Sequence, residues 1–162
     1  MEIAIVSDTH MPRRGRVLPE GCVARLQRAD LIIHAGDLVG LEVLDQLRSL
    51  GELVAVHGNV DAPEVKASLP VTATVRSGGA TLAVVHDGGP AAGRVRRMRS
   101  RFPDADAVVF GHSHIPSHER DEHGFQIFNP GSPTERRRSP HHTMGVARLS
   151  DGELTFELVV LD

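Results

Sequence analysis

One cysteine, one lysine, no tryptophan and no tyrosine occur among the 162 residues. The lone Cys22 cannot form an internal disulfide, so a reducing compartment suits the chain and the cytoplasm is the expected location. No apolar run approaches the roughly 18 residues of a membrane span. The chain opens directly on the strand-like Met1–Val6, with no basic leader and no cleavage site, and no membrane partner is expected. Repeats, low-complexity tracts and dividing linkers are also missing, so a single domain over residues 1–162 is expected. A chain of that length buries about 70% of its unfolded surface, enough for its own core. A net charge of −3 argues against a nucleic-acid partner. Lys66 aside, arginine supplies all the side-chain positive charge, and it crowds two places: Arg94, Arg96, Arg97, Arg99 and Arg101, and the run Arg136-Arg137-Arg138.

What the chain does have is a series of five polar clusters, each where an apolar run stops. Ile3 to Val6 ends at Asp8-Thr9-His10, Leu31 to Ile33 at Gly36-Asp37, and Leu53 to Val56 at Gly58-Asn59-Val60-Asp61. Leu82 to Val85 ends at His86, and Val108 to Phe110 at Gly111-His112-Ser113-His114. Short Val- and Ile-rich runs bounded by Gly and polar residues read as buried strands. Between them, Leu41, Val43, Leu44, Leu47 and Leu50 have helical spacing, Val23, Leu26 and Ala29 mark a second helix, and Ala91 to Arg101 a third. Alternating strands and helices predict an α/β fold with a largely parallel sheet, whose ligands gather at the carboxyl ends of the strands. After Pro116 the pattern changes. Gln126 to Phe128, Thr143 to Leu149 and Leu154 to Leu161 read as antiparallel strands, with a hairpin turn at Asp151-Gly152. These are expected to form a second sheet packed on the first.

The clusters offer nitrogen and oxygen donors and no thiolate. Imidazole with carboxylate suits Mn, Fe, Zn or Ni, whereas calcium wants oxygen alone. An Asp carboxylate can bridge two cations ~3.5–4 Å apart, an arrangement that activates water and clamps an in-line displacement at phosphorus. Phosphate esters are anionic and resist attack, so paired cations answer both difficulties. The donor set therefore points to phosphoester hydrolysis.

Asp8-x-His10, Gly36-Asp37, Gly58-Asn59-x-Asp61, His86 and Gly111-His112-x-His114 together resemble the calcineurin-like metallophosphoesterase signature. The likeness is to its small prokaryotic phosphodiesterase (YfcE-type) branch, runs from Ile3 to about Arg138, and includes the late loop Asn129-Pro130-Gly131-Ser132. It implies a four-layer αββα sandwich, two mixed β-sheets flanked by helices, with a dimetal site at one edge. It also implies two divalent ions, Mn²⁺ before Fe, Zn or Ni. Asp8, His10 and His114 would hold the first, Asn59, His86 and His112 the second, and Asp37 would bridge them. A hydroxide bridging the metals would attack phosphorus. Asn59 would also bind a phosphate oxygen, and Asp61 would orient its neighbours, so Asn59, Asp61 and His112 form the implied catalytic set. The substrate would be a small phosphodiester or nucleotide-like molecule, and a homo-oligomer stays open.

Two positions depart from the pattern. Many larger members carry His after the motif Asn, where it assists the leaving group; here Val60 can neither donate a proton nor bind charge. That favours diesters with acidic leaving groups. His86-Asp87-Gly88 also stands where His-Gly is common.

Each residue has a plainer reading. Asp8 could cap backbone amides, Asp37 could be the N-cap of the following helix, and Asn59 could be a turn residue at positive φ. His112 and His114 alternate, so they face one way only if the strand has ended. His34 and His57 read as core or supporting residues within strands, His118, His123, His141 and His142 as surface, and Cys22 as a small helix-face hydrophobe. The loop arginines Arg136, Arg137 and Arg138 are assigned to substrate phosphate, for which guanidinium is suited. The helical arginines are assigned to solvent, because five such positions spread round more than one face. Two alternatives remain: an interaction scaffold, as in the retromer subunit that resembles this family, and a nucleic-acid-processing nuclease.

Overall fold

The computed structural model describes residues 1–162. Alternation along the first strand sets the architecture. In β1 (Glu2–Val6), Ile3 and Ile5 enter one core cluster while Ala4 and Val6 enter another on the opposite face. A strand buried on both faces carries apolar residues continuously, as this one does. β2 (Leu31–His34) runs parallel beside it, with Ile3 opposite Leu31 and Val6 opposite His34, and β3 (Leu53–Ala55) lies parallel beyond β2.

Three helices cover the outer face of this sheet: α1 (Glu20–Arg28), α2 (Leu41–Leu50) and α3 (Pro63–Ser68). Val43, Leu44 and Leu47 of α2 are fully buried against Ile32 and Val6, whereas Leu41, at the helix start, lies exposed to solvent. Cys22 and Leu26 of α1 join the same cluster, and burial pushes the Cys22 thiol up to about 12. Pro63 opens α3 at its first turn, where a missing N–H costs nothing.

The second sheet contains β4 (Thr72–Ser77), β5 (Ala80–Val85), β6 (Ala107–Val109), β7 (Ser117–Arg120) and β8 (Gln126–Asn129). Its order is β4-β5-β6-β8-β7, with β5, β6 and β8 parallel and both edges antiparallel. α4 (Arg94–Arg101) packs on its outer face through Met98. The last strands, β9 (Thr143–Ser150) and β10 (Glu153–Val160), form the expected hairpin, with Asp151 and Gly152 both at positive φ.

The allocation of strands to sheets corrects the sequence expectation. β9 and β10 extend the first sheet, whose order is β10-β9-β1-β2-β3, because β9 pairs antiparallel with β1. β8 joins β6 in parallel in the second sheet. Each sheet is thus mixed, and neither belongs to one half of the chain. The shared core lies between them: Ile3, Ile5 and Ile33 from one sheet meet Leu82, Val84, Val109 and Phe128 from the other. Gly145 marks a close approach between them, since a Cβ there would stand 2.3 Å from the Phe128 ring. Two mixed five-stranded sheets flanked by four helices make the layered α/β sandwich that the motif resemblance implies.

Candidate metal centre

β1, β2 and β3 run parallel in one sheet, β5 and β6 in the other, and the chain leaves each of these strands through one of the polar clusters. Hydrogen bonds between backbones join the exits. Asp8 N–H donates to Gly36 O at 2.9 Å, His10 N–H to Asp37 O at 3.1 Å, and Gly111 N–H to His86 O at 2.9 Å. The exits can lie this close because a Cβ is missing at their crossings. At Gly36 it would stand 2.6 Å from the His86 ring, and at Gly111 2.0 Å from Ser7 Oγ.

Two donor groups result. Asp8, His10 and His114 form the first, all buried; Asp37, His86 and the exposed His112 form the second, each with its donor atoms within 4.8 Å of one another. In the first, His114 Nε2 lies 3.5 Å and His10 Nε2 4.0 Å from Asp8 Oδ1. These three atoms are buried and have no hydrogen-bond partner. Three such atoms converging on one point cost free energy unless a cation satisfies them. In the second group His86 Nε2 lies 3.1 Å from Asp37 Oδ2, which is also 3.5 Å from His10 Nε2. Asp37 therefore stands between the groups. Asn59 Oδ1 lies 3.1 Å from both His86 Nε2 and His112 Nδ1.

The remaining atoms of these side chains are tied down, which aims the free ones. Asp8 Oδ2 accepts from Ser7 Oγ at 2.7 Å and from the His112 amide at 2.9 Å. His114 Nδ1 donates to Glu135 O at 2.6 Å and His86 Nδ1 to Ala35 O at 2.7 Å, so each presents Nε2 to the site. His10 Nδ1 lies 3.1 Å from the Glu135 carboxylate, whose other oxygen pairs with Arg16 at 2.9 Å. Asp61 points away from both groups: its carboxylate accepts from the amides of Asp37, Val39 and Gly58 at 2.7–3.0 Å.

Protonation follows from these contacts. Burial lifts the Asp8 carboxyl to about 6. Burial also opposes charge on Asp37, yet the His10 and His86 imidazoles beside it hold its carboxyl below the usual range. His86 rises to about 9 because Asp37 and Asp8 outweigh its burial, while burial lowers His114 to about 4. The His86–Asp37 contact is thus a charged pair in which a proton occupies the place a cation could take.

Several plain readings give way here. Asp37 caps no helix: α2 begins at Leu41 after Gly40, and Asp37 Oδ1 accepts from the Val60 amide at 2.9 Å. Asn59 is not at positive φ. β6 has ended at Val109, and both His112 and His114 take positive φ, which lets both turn toward the site. His34 is wholly buried, with Nε2 3.0 Å from Thr9 Oγ1 and Nδ1 accepting from the Gly36 amide. His57 lies past the end of β3, half-buried on a cavity wall rather than in a strand.

The arginines are arranged differently from expectation. Arg136, Arg137 and Arg138 are exposed; Arg137 alone touches the site's backbone, with Nη1 3.5 Å from His112 O, while Arg136 bonds Ser139 O. The helical arginines are not merely solvated. Arg94 and Arg97 donate to Gly88, Gly89 and Pro90 carbonyls in the loop after His86, and Arg99 pairs with Asp121.

Sequence reasoning missed Ser7, Arg16 and Glu135. Ser132-x-x-Glu135 resembles a capping box, but no helix follows. Instead Ser132 Oγ accepts from the Glu135 amide and donates to Asp8 O, and Thr134 Oγ1 donates to Thr9 O. The late loop thereby binds the first cluster and delivers Glu135.

The model of the calcineurin-like phosphoesterase superfamily domain matches residues 1–152. A probable metallophosphoesterase of Methanocaldococcus jannaschii is 34% identical over 140 residues, 85% of this chain and 70% of that protein. Among solved structures, a Vps29 variant from Entamoeba histolytica superimposes with a TM-score of 0.80 at 23% identity, covering 100% of both chains. A novel archaeal phosphodiesterase superimposes with a TM-score of 0.75 at 21% identity, covering 98% of this chain and 100% of its own. At those identities the two structures speak for the fold alone.

Proposed function

The chain belongs to the calcineurin-like phosphoesterase superfamily, and from that premise we propose that it is a dinuclear metal-dependent phosphodiesterase. The observation that carries this reading is the convergence of Asp8 Oδ1, His10 Nε2 and His114 Nε2, buried and unpartnered, beside a second group that shares Asp37. Nitrogen and carboxylate donors without thiolate fit manganese, and iron, zinc or nickel on the same grounds. Asp8, His10, His114, Asp37, Asn59, His86 and His112 would hold two divalent ions, which when bound would supply Lewis acidity for phosphoryl oxygens and lower the pKa of water.

The chain's own residues do the rest. The Glu135 and Ala35 carbonyls hold His114 and His86 in the tautomer that presents Nε2, and the Glu135 carboxylate lies beside His10 Nδ1. Asn59 faces the open side next to His112, where a phosphoryl oxygen can meet its amide. Asp61 positions rather than reacts, since three amides occupy its carboxylate. Val60 offers no proton, so the leaving group departs unassisted and its own acidity sets the rate. Arg137 is the loop arginine best placed to meet a substrate phosphate. A cytoplasmic setting fits the unpaired Cys22.

The scaffold alternative has no need of bare donors, and here three buried donor atoms stand unpartnered, which favours a loaded metal site and catalysis. The test is activity and metal content together. Protein reconstituted with Mn²⁺ is expected to bind about two ions, lose activity to a chelator, and hydrolyse aryl diesters faster than alkyl monoesters. Full metal occupancy with no hydrolysis of any phosphoester would favour the scaffold.

A further inference from the structure

Beside the second donor group the surface opens into a cavity of about 280 Å³, whose wall continues the site through Asn59, His86 and His112. Two cations reach it from separate elements, Lys66 on α3 and Arg101 at the end of α4. Neither forms an ion pair. Lys66 Nζ donates to the Asn59 carbonyl at 3.0 Å, and Arg101 stacks on the Phe102 ring with its guanidinium 5.3 Å from the centroid. Three other arginines of α4 are employed elsewhere, Arg94 and Arg97 on loop carbonyls and Arg99 on Asp121, and Arg96 does not line the cavity. Asp87 is the single acid in the wall, and its Oδ1 accepts from the Gly89 amide. Val71 and Val85 add apolar surface between these polar groups.

Lys66 and Arg101 outnumber Asp87 in the wall, so the cavity carries one net positive charge in addition to that of a loaded metal centre. Because the Lys66 ammonium is bonded to Asn59 itself, that charge begins at the residue that faces the phosphoryl group. The cavity is slightly below the usual range for small-molecule pockets, roughly 300–1,000 Å³. It suits one compact ester arm and not a nucleic-acid strand.

Resting on the phosphodiesterase reading, we propose that this cavity binds a second anionic group, phosphate or carboxylate, carried on an ester arm of the substrate. Lys66 and Arg101 recognise the charge, and Val71 and Val85 contact the carbon spacer. The substrate is then a small phosphodiester with one charged arm.

The test uses three p-nitrophenyl diesters that share a leaving group and carry a methyl, a carboxyethyl or a phosphoryloxyethyl arm. Manganese-loaded protein is expected to show kcat/KM roughly tenfold or more higher for a charged arm than for methyl, the size of one or two charge-assisted contacts. Which charged arm is preferred separates carboxylate from phosphate. In Lys66→Met and Arg101→Met the charged-to-methyl ratio falls about tenfold, and Lys66→Arg retains it. Calorimetry gives a second readout: 3-phosphonopropionate, whose second charge is too distant for tight chelation, binds more tightly than ethylphosphonate, and both Met variants erase the difference. A charged-to-methyl ratio near one, or a ratio that the Met variants leave intact, overturns the proposal. Should no diester be hydrolysed, the phosphodiesterase reading fails by itself, and the two phosphonates still decide whether the cavity selects a second charge.

Discussion

At the scale of single residues, the centre is built from backbone conformations that L-residues avoid. Asp8, His10, Asp37, His112 and His114 all have φ between 45° and 71°. Such positions cost of order 1–3 kcal/mol each and persist where the surroundings dictate them. Asp37 has the widest influence because it stands between both donor groups. Asp37→Asn is expected to lower metal content at both, with manganese per chain by elemental analysis falling well below two; loss of a single ion would deny it a shared role. Protonation predicts how the groups load. Below about 9 the His86 imidazole carries a proton that a cation must expel, whereas the Asp8 carboxyl is already ionised above about 6. Raising pH from 6.5 to 8.5 is therefore expected to tighten the manganese site that contains His86 about tenfold per unit and the site that contains Asp8 and His114 far less. Titration calorimetry in buffers of different ionisation enthalpy would count the protons, and equal release from both sites would contradict this order.

At the scale of elements, the strands deliver the clusters and one carboxylate locks two of the deliveries together. Asp61, following β3, takes the amides of Asp37 and Val39 after β2 and of Gly58 in its own loop. Asp61→Asn leaves the shape but turns an amide N–H toward backbone N–H groups. A buried donor left without an acceptor costs about 1–3 kcal/mol. Urea unfolding of Asp61→Asn is expected to show that loss with an unchanged denaturant slope, and metal affinity is expected to fall because the Asp37 loop is released. An unaltered midpoint would mean that the three amides find water instead. α4 has a related role on the other side, where Arg94 and Arg97 hold the loop after His86 by its carbonyls.

For the whole molecule, the two sheets bring donors from opposite layers into one place, so cation binding is expected to couple to folding. His86 and His114 leave strands of one sheet, Asp8 and Asp37 strands of the other. A ligand at 100 times its dissociation constant stabilises the folded state by about 2.7 kcal/mol. For a chain of this size that raises the melting temperature by roughly 5–10 °C per site. Differential scanning calorimetry with and without Mn²⁺ is expected to show the rise, with chelator reversing it. A rise equally large in Asp37→Asn would place the binding elsewhere.

Much of this was legible locally. The alternation of Ile3 and Ile5 with Ala4 and Val6, the helical spacing of Val43, Leu44 and Leu47, and the turn at Asp151-Gly152 are all set by neighbours a few residues apart. The strand-end position of every candidate donor follows from the same short-range pattern, and so does the identity of the donors. What local pattern does not encode is the partner across a hydrogen-bonded ladder. β9 pairs with β1, 140 residues away in sequence, and β8 lies parallel to β6, because burial on both faces leaves several edges equally apolar. β4 and β7, half-exposed and polar at the sheet edges, carry too weak an apolar signal to be read at all. The same holds within the centre. Glu135 reaches His10 only because Ser132 and Thr134 bond the backbone of Asp8 and Thr9. Arg94 and Arg97 turn to loop carbonyls because α4 follows that loop directly and packs beside it. Residue types and strand ends belong to the sequence; which donor atoms converge, and which basic side chains stay unpaired, was decided by contacts between distant segments.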